Sequence, residues 1–229
     1  MKIHPTAIVD RHAELGADVE IGPYAVIHAG VRIGARCRVH SFAVLGDLPQ
    51  DKRGGDKPTR VEIGDDNVFR EHVTVHRGTR DSITKIGSNN LFMVGCHVAH
   101  DVTIGSRCVI ANSVQLAGHS IVEDYATFGG LAGIAQFVRV GESAFVAAGA
   151  MVERDVPPFC IVQGDRARVR AVNRVGLERR GVPASSIAEI ERVFRAVFSR
   201  SSHVRTRAEA IASLVSEDEL AKRLIASLR

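Results

Sequence analysis

Ten histidines are spread along the 229 residues, and five of them, His72, His76, His97, His100 and His119, crowd into the middle of the chain. An imidazole titrates near neutrality and is the natural general base for drawing a proton from a hydroxyl group. In the run Cys96-His97-Val98-Ala99-His100-Asp101 one histidine is followed directly by a carboxylate, which could orient the ring and stabilise its charged form. Neighbours on a strand point to opposite faces, so Asp101 reaches His100 only if the chain turns there. A single surface histidine needs no function, but five in one region point to a site. Three histidines could also hold zinc.

A strict repeat sets the elements that must position these residues. Counting by sixes from Ile3 meets a bulky apolar residue at every step to Leu45. The count restarts at Ile63 through Val75 and again at Ile86, from where it runs unbroken to Val152. Smaller residues such as Cys108, Val114, Ser120, Ala126 and Ala132 sit two places before these positions. Alternation at i and i+2 marks an inward strand face, and six residues leave no room for a helix between strands. Each hexad is then one short strand and one corner, and three hexads close one triangular turn. The 23 positions give between seven and eight coils, a column roughly 35 Å tall at about 4.8 Å per layer. A β-sandwich would need hairpin signals every eight to twelve residues, and the sequence has none. Glycine often follows the key position (Gly22, Gly34, Gly64, Gly87, Gly105, Gly141), where a turn needs unusual backbone angles or a close approach.

Composition agrees with a narrow β interior. There is no Trp and there are two Tyr, and the 45% hydrophobic content is mostly Val, Ile and Ala. Net charge is +4 with a pI near 9.1, a mild excess that selects no anionic partner. Cys37, Cys96, Cys108 and Cys160 lack metal-ligand spacing and read as small buried hydrophobes. Met1 to Pro5 carries no apolar leader and no stretch approaches 18 apolar residues, so a soluble, cytoplasmic chain is expected.

Two stretches break the hexads, Gly46 to Pro58 and His76 to Asp81, and insertions in solenoids become loops on one face, often the binding face. After Asp155-Val156-Pro157-Pro158 the repeat ends. The expected organisation is a β-helix over residues 1–158 and a helical domain over 159–229. The tail reads as a helix from Val169 to Arg180 and a second from Ile187 to Phe198 capped by Ser185 or Ser186. A third opens on the capping-box pattern Ser216-Glu217-Asp218-Glu219. Ile187, Ile190, Val193, Phe194, Val197 and Phe198 form a stripe that must dock on the column or on another subunit.

The order and spacing of several stretches are more specific than the hexads. Gln50-Asp51, Pro58-Thr59-Arg60-Val61-Glu62-Ile63-Gly64, Thr74-Val75-His76-Arg77-Gly78-Thr79, Ala99-His100-Asp101, Leu116-Ala117-Gly118-His119, Asp155-Val156-Pro157-Pro158 and Arg179-Arg180-Gly181 together resemble the UDP-N-acetylglucosamine O-acyltransferases that open lipid A biosynthesis. The resemblance runs from His4 to Gly181. It implies a left-handed parallel β-helix, against the usual right-handed crossover rule, and a homotrimer with active sites between subunits. It implies His100 as the base that takes the proton of the sugar 3-hydroxyl, Asp101 as its partner, and the Gly118 N–H as oxyanion donor. The acyl donor implied is a 3-hydroxyacyl chain on acyl carrier protein. Asp51, Arg53, His76, His97 and His119 match substrate-contacting positions. Gln136, Asn173, Arg179 and Arg180 match positions near the nucleotide or the carrier, where forked arginine donors suit phosphate. Ala148 falls where the family sets acyl length with glycine, which implies a shorter or narrower groove.

This reading calls for no cofactor, no metal, no nucleic acid and no stable membrane insertion. Trimeric carbonic anhydrases of the same β-helical class bind zinc through a His-x4-His pair, whereas His97 and His100 are three apart. Three departures bear on the nucleotide sugar: Arg53 replaces a lysine, Ala135 precedes Gln136 where the family has histidine, and Val175 replaces an acidic residue. N-acylation of a 3-amino UDP-sugar, acetyl-CoA-dependent acetylation and a non-catalytic trimeric scaffold are the alternatives.

Overall fold

The structure, a computed structural model, describes residues 1–52, 59–80, 82–198 and 207–228. Short strands stack into three sheets, one for each side of a triangular column. The first face begins at Lys2–Ile3, the second at Ile8–Val9 and the third at Glu14–Leu15. The column is therefore a parallel β-helix, with each coil bonded to the next by backbone hydrogen bonds such as His97 N to Val114 O (2.9 Å) and Ala99 N to Leu116 O (3.0 Å). Val75, Val98, Leu116 and Ile134 fall in one register on the second face, and all are buried. The repeat reading holds because the pairing partner of each inward residue is another inward residue, so a slip of one would expose the whole core.

The corners are built differently from the sequence expectation. Among the described residues eighteen non-glycine positions have positive φ, including Asp101 (63°), His119 (61°) and Phe137 (66°). Apart from Arg80 and Arg166, they stand one place before the smaller inward residue. The repeated glycines serve the other purpose, close approach. A Cβ on Gly34 would lie 2.6 Å from the carbonyl carbon of Gly64. Left-handed backbone is disfavoured for residues with a side chain, and here coil stacking on both sides enforces it.

Both interruptions of the repeat leave the same corner, between the second and third faces. The first lies between the strands Val44–Asp47 and Arg60–Ile63, and the second between Thr74–His76 and Ile83–Ile86. On the next two coils the same corner carries His100-Asp101 and Gly118-His119.

The first face continues through Cys160–Gln163, and the antiparallel strand Arg168–Val172 then ends it. The expected helix from Val169 is thus a strand as far as Val172. Arg168-Val169-Arg170-Ala171 alternates at period two, and pairing there covers the open sheet edge. Among the described residues four helices follow: α1 (Arg174–Arg179), α2 (Ala184–Phe198), α3 (Arg207–Ala212) and α4 (Glu219–Leu228). Helix α2 starts before Ser185, since Ile187 N already donates to Pro183 O (3.1 Å). Asp218, not Ser216, caps α4, accepting from the N–H groups of Leu220 (3.0 Å) and Ala221 (2.9 Å). Ser216 instead donates to Glu189 (2.7 Å). The α2 stripe docks as required: Ile187, Ile190, Val193 and Val197 are buried with Phe159, Cys160, Leu177 and Leu224 in a second core. Each such side chain contributes about 1.5–3 kcal/mol on burial.

All four cysteines are buried and free. Burial pushes the Cys96 thiol up to about 11 and Cys108 and Cys160 to about 12. No helix among the described residues is long and apolar enough to cross a membrane.

Candidate active site

The corner between the second and third faces stacks the chemistry-bearing residues one coil above another. At His100-Asp101 the chain turns, with Asp101 in the left-handed region, so the two side chains meet as the sequence required. His100 Nδ1–H donates to Asp101 Oδ2 at 2.7 Å, and both groups are almost fully withdrawn from solvent. With Nδ1 committed to Asp101, Nε2 is the ring nitrogen left to act as a base. Asp101 also accepts from Thr79, whose N–H donates to Oδ1 (2.8 Å) and whose hydroxyl donates to Oδ2 (2.7 Å). Burial alone would raise the Asp101 carboxyl. The hydrogen bonds from Thr79 and His100 outweigh it and hold the group below the ordinary carboxylate range.

One coil further on, Gly118 lies directly against His100. A Cβ there would fall 2.6 Å from Cε1 and 2.8 Å from Nε2 of the ring. His119 meets His100 edge-on, with centroids 5.2 Å apart, and its Nε2 is 3.4 Å from Asp101 Oδ2. Phe137, two-thirds exposed, stacks on His119 at 4.8 Å from the following coil. The sequence reading assigned no role to Thr79 or Phe137. Thr79 falls within the second repeat break, and Phe137 is a large aromatic at a corner position; both signals are present in the sequence.

Asp51, His100 and Gln136 share an open cleft of about 480 Å³ with Gln50 and Lys52. A larger cleft, about 780 Å³, lies between the third face and α4 and contains none of the candidate residues. Arg53 lies outside the described residues. His76 and His97 pack edge to face with centroids 4.8 Å apart, and Thr74 Oγ1 hydrogen-bonds His97 Nδ1 at 2.7 Å. Burial depresses both rings. His76 lies below the usual histidine range, and His97 is pushed down to about 4, with its neighbours His76 and His100 adding to the effect. His72 stands apart, on the corner between the first and second faces, stacked on Phe42.

His97 therefore stays neutral where an unfolded histidine would gain a proton. The unfolded state binds more protons between pH 6.5 and 4, so stability falls as pH drops through that window. Acidification from pH 7 to pH 5 is expected to destabilise the wild type by about 1–2 kcal/mol more than His97→Gln. Denaturant midpoints at the two pH values measure it, and equal losses would refute it.

The tail residues are not gathered at this corner. Asn173 is buried, caps α1 through Gly176 N (3.1 Å) and donates to Ser143 O (2.9 Å). Arg180 pairs with the buried Glu142, donates to Ser143 Oγ (2.9 Å) and lies 4.0 Å over the Tyr125 ring. Arg223 of α4 pairs with the same Glu142, so these contacts bind tail to column. Arg179 is exposed, as is Val175 beside it on α1. Ala148 is exposed on the corner between the first and second faces. One chain thus carries its candidate residues on three different corners.

His100, Asp101 and His119 offer ligand atoms within 4.8 Å of one another, a set that could take a metal ion. The shared oxygen, Asp101 Oδ2, already accepts from His100 and Thr79, which suits the group to orienting an imidazole for proton transfer.

A family model described as UDP-N-acetylglucosamine O-acyltransferase, domain 2, matches residues 155–229, and one for bacterial transferase hexapeptide repeats matches residues 12–47 and 83–118. LpxA from Acinetobacter baumannii is 33% identical, over 99% of this chain and 96% of that one, with a TM-score of 0.88. The UDP-N-acetylglucosamine acyltransferase of Campylobacter jejuni is 34% identical over 98% and 95%, with a TM-score of 0.86. The Arabidopsis enzyme of the same name is 30% identical over 98% and 95%, at 0.79. With its hexapeptide column, its helical tail and likeness along almost its entire length, the chain is an acyltransferase of left-handed β-helical fold and belongs to the UDP-N-acetylglucosamine O-acyltransferase family.

Proposed function

We propose that the protein transfers a 3-hydroxyacyl chain from acyl carrier protein to the 3-hydroxyl of UDP-N-acetylglucosamine, the step that opens lipid A biosynthesis. The observation that carries this reading is the buried 2.7 Å pair of His100 and Asp101 with Gly118 against the ring. His100 Nε2 takes the proton as the sugar oxygen attacks the thioester carbonyl. The resulting oxyanion is stabilised by the Gly118 N–H, which among the described residues donates no backbone hydrogen bond. Collapse breaks the carbon–sulfur bond, and the imidazolium returns its proton to the departing thiolate.

Asp51, His76, His97, His119 and Gln136 hold the acceptor around this corner, and Arg53, two places after Asp51 in the sequence, adds charge to that set. Arg179 offers a free guanidinium to phosphate, whereas Asn173 and Arg180 act by fixing the surface on which it stands. The distribution over three corners supports a homotrimer, the assembly in which a neighbouring copy would bring Ala148 and the tail beside His100. In this reading residues 1–158 make up the catalytic column, whose first face runs on through Cys160–Gln163, residues 159–229 make up the domain that ends in helices, and the reaction belongs to the cytoplasm.

The test is mass spectrometry of purified protein with UDP-N-acetylglucosamine and a mixture of 3-hydroxyacyl carrier proteins. A product heavier by one acyl group supports O-acylation. Product only with a 3-amino UDP-sugar replaces it by N-acylation, and no product with either replaces it by a scaffold role.

The same mixture reads chain length. Ala148 adds a methyl group where the family has glycine, and one methylene in an apolar groove discriminates about 10–200-fold. Ala148→Gly is expected to raise the relative rate with longer chains by about tenfold. An unchanged ladder of rates would count against the role of this residue.

A further inference from the structure

Residues 77–80 and Ser82 lie where the repeat is interrupted one coil before the dyad, and their backbone is tied at several points. Arg77 N donates to Asp47 O (3.0 Å), Thr59 Oγ1 donates to Gly78 O (2.5 Å) and Ser82 N donates to Thr79 O (2.9 Å). Thr59 and Thr79 are both buried. Among the described residues of this break Thr79 gives Asp101 both a hydroxyl and an N–H, with 2.7 and 2.8 Å contacts to its two oxygens, and the Ser82 side chain adds a hydrogen bond to the same carboxylate. Behind it, Asp101 N donates to Thr84 Oγ1 (2.9 Å).

We propose that Thr79 is the positioning residue of the proton-transfer pair: it clamps both oxygens of Asp101 so that Oδ2 faces His100 Nδ1. This rests on the reading of His100 as general base. A carboxylate at the end of a free χ2 is broad in orientation, and one N–H on Oδ1 leaves it able to swing. The hydroxyl on Oδ2 removes that freedom and stabilises the charge that the imidazolium needs opposite it. The chain of contacts from Thr59 through Gly78 and Thr79 to Asp101 and His100 gives a use to the two sequence stretches, Pro58 to Gly64 and Thr74 to Thr79, that flank the repeat breaks. Thr79 itself touches no reacting atom.

The experiment compares kcat and KM of the wild type, Thr79→Val, Thr79→Ala, Thr79→Ser and His100→Ala in the assay above, each first checked for secondary structure and oligomeric state. Either hydroxyl-free variant that folds is expected to lose about tenfold in kcat, the worth of one charge-assisted hydrogen bond, with the acceptor KM changed less than about twofold. Thr79→Ser keeps both donors and is expected to restore kcat to within about twofold of the wild type. Wild-type kcat in a hydroxyl-free variant would overturn the proposal, as would a serine variant as slow as valine or a loss confined to KM. Activity retained in His100→Ala would instead overturn the underlying general-base reading.

Discussion

His100→Ala is expected to lower kcat by about 10³-fold, within the range that a positioned general base contributes, while the column stays folded. The fold survives because the corner does not depend on the ring. Backbone bonds to His100 and its neighbours, such as His119 N to His100 O (3.1 Å) and Ala99 N to Leu116 O (3.0 Å), persist in the variant. Asp101 loses one donor but keeps the two from Thr79, so its carboxylate is not left buried and unpaired. Loss of one hydrogen bond and of the ring's packing is expected to cost about 1–3 kcal/mol of stability, spread over a long ladder of coils. Turnover, circular dichroism and size-exclusion behaviour measured on the same preparation check both halves. Turnover above about a tenth of the wild type would exclude His100 as the base, because water cannot replace a base at that level. A variant that fails to assemble would mean that the ring is structural.

The contrast between what was legible in the sequence and what was not has a physical origin. The column was legible because an inward apolar residue at Val98, Leu116 or Ile134 is required in every coil, and period counting detects such a requirement directly. The corner rule was not, because the left-handed residues include Asp101, His119, Tyr125 and Phe137, which share a backbone conformation and no side-chain chemistry. The His100-Asp101 pair was visible as a neighbouring acid and imidazole, with the proviso of a turn, which the structure supplies. Asp101's second partner was not visible, since Thr79 reaches it across 22 residues through the bend of the second repeat break. Glu142 shows the same limit. Its two arginine partners, Arg180 just past the end of α1 and Arg223 within α4, come from separate parts of the tail, and no spacing within the repeat announces them. Alternating Arg168-Val169-Arg170-Ala171 was readable as a strand, but helical signals around Asn173 and Leu177 drew the boundary too early.

Gly118→Ala tests the geometry of the same site by adding one methyl group, and its effect is expected to be nearly as large. Gly118 does not occupy the left-handed region, so alanine brings no backbone strain, and the cost falls on what the new Cβ meets. That is the His100 ring, at 2.6 Å from Cε1, 2.8 Å from Nε2 and 3.1 Å from Nδ1. The ring cannot retreat freely, being tied to Asp101 at 2.7 Å and flanked by the edge of His119. Relief requires either breaking the Asp101 hydrogen bond or shifting the corner. A displacement of about 1 Å at a reacting group costs on the order of 10² in rate, so kcat is expected to fall by about 10²-fold with acceptor KM little changed. Alanine retains the backbone N–H, which separates the ring's displacement from loss of the oxyanion donor. The double variant decides between the two causes. With His100 already replaced by Ala, the methyl group enters vacated space, and adding Gly118→Ala is expected to change the residual rate by less than about twofold, a fully coupled cycle. If the glycine substitution instead lowers that residual rate by the same 10²-fold, the methyl group acts on the oxyanion site or the corner backbone, and the contact between Gly118 and the imidazole has no part in catalysis.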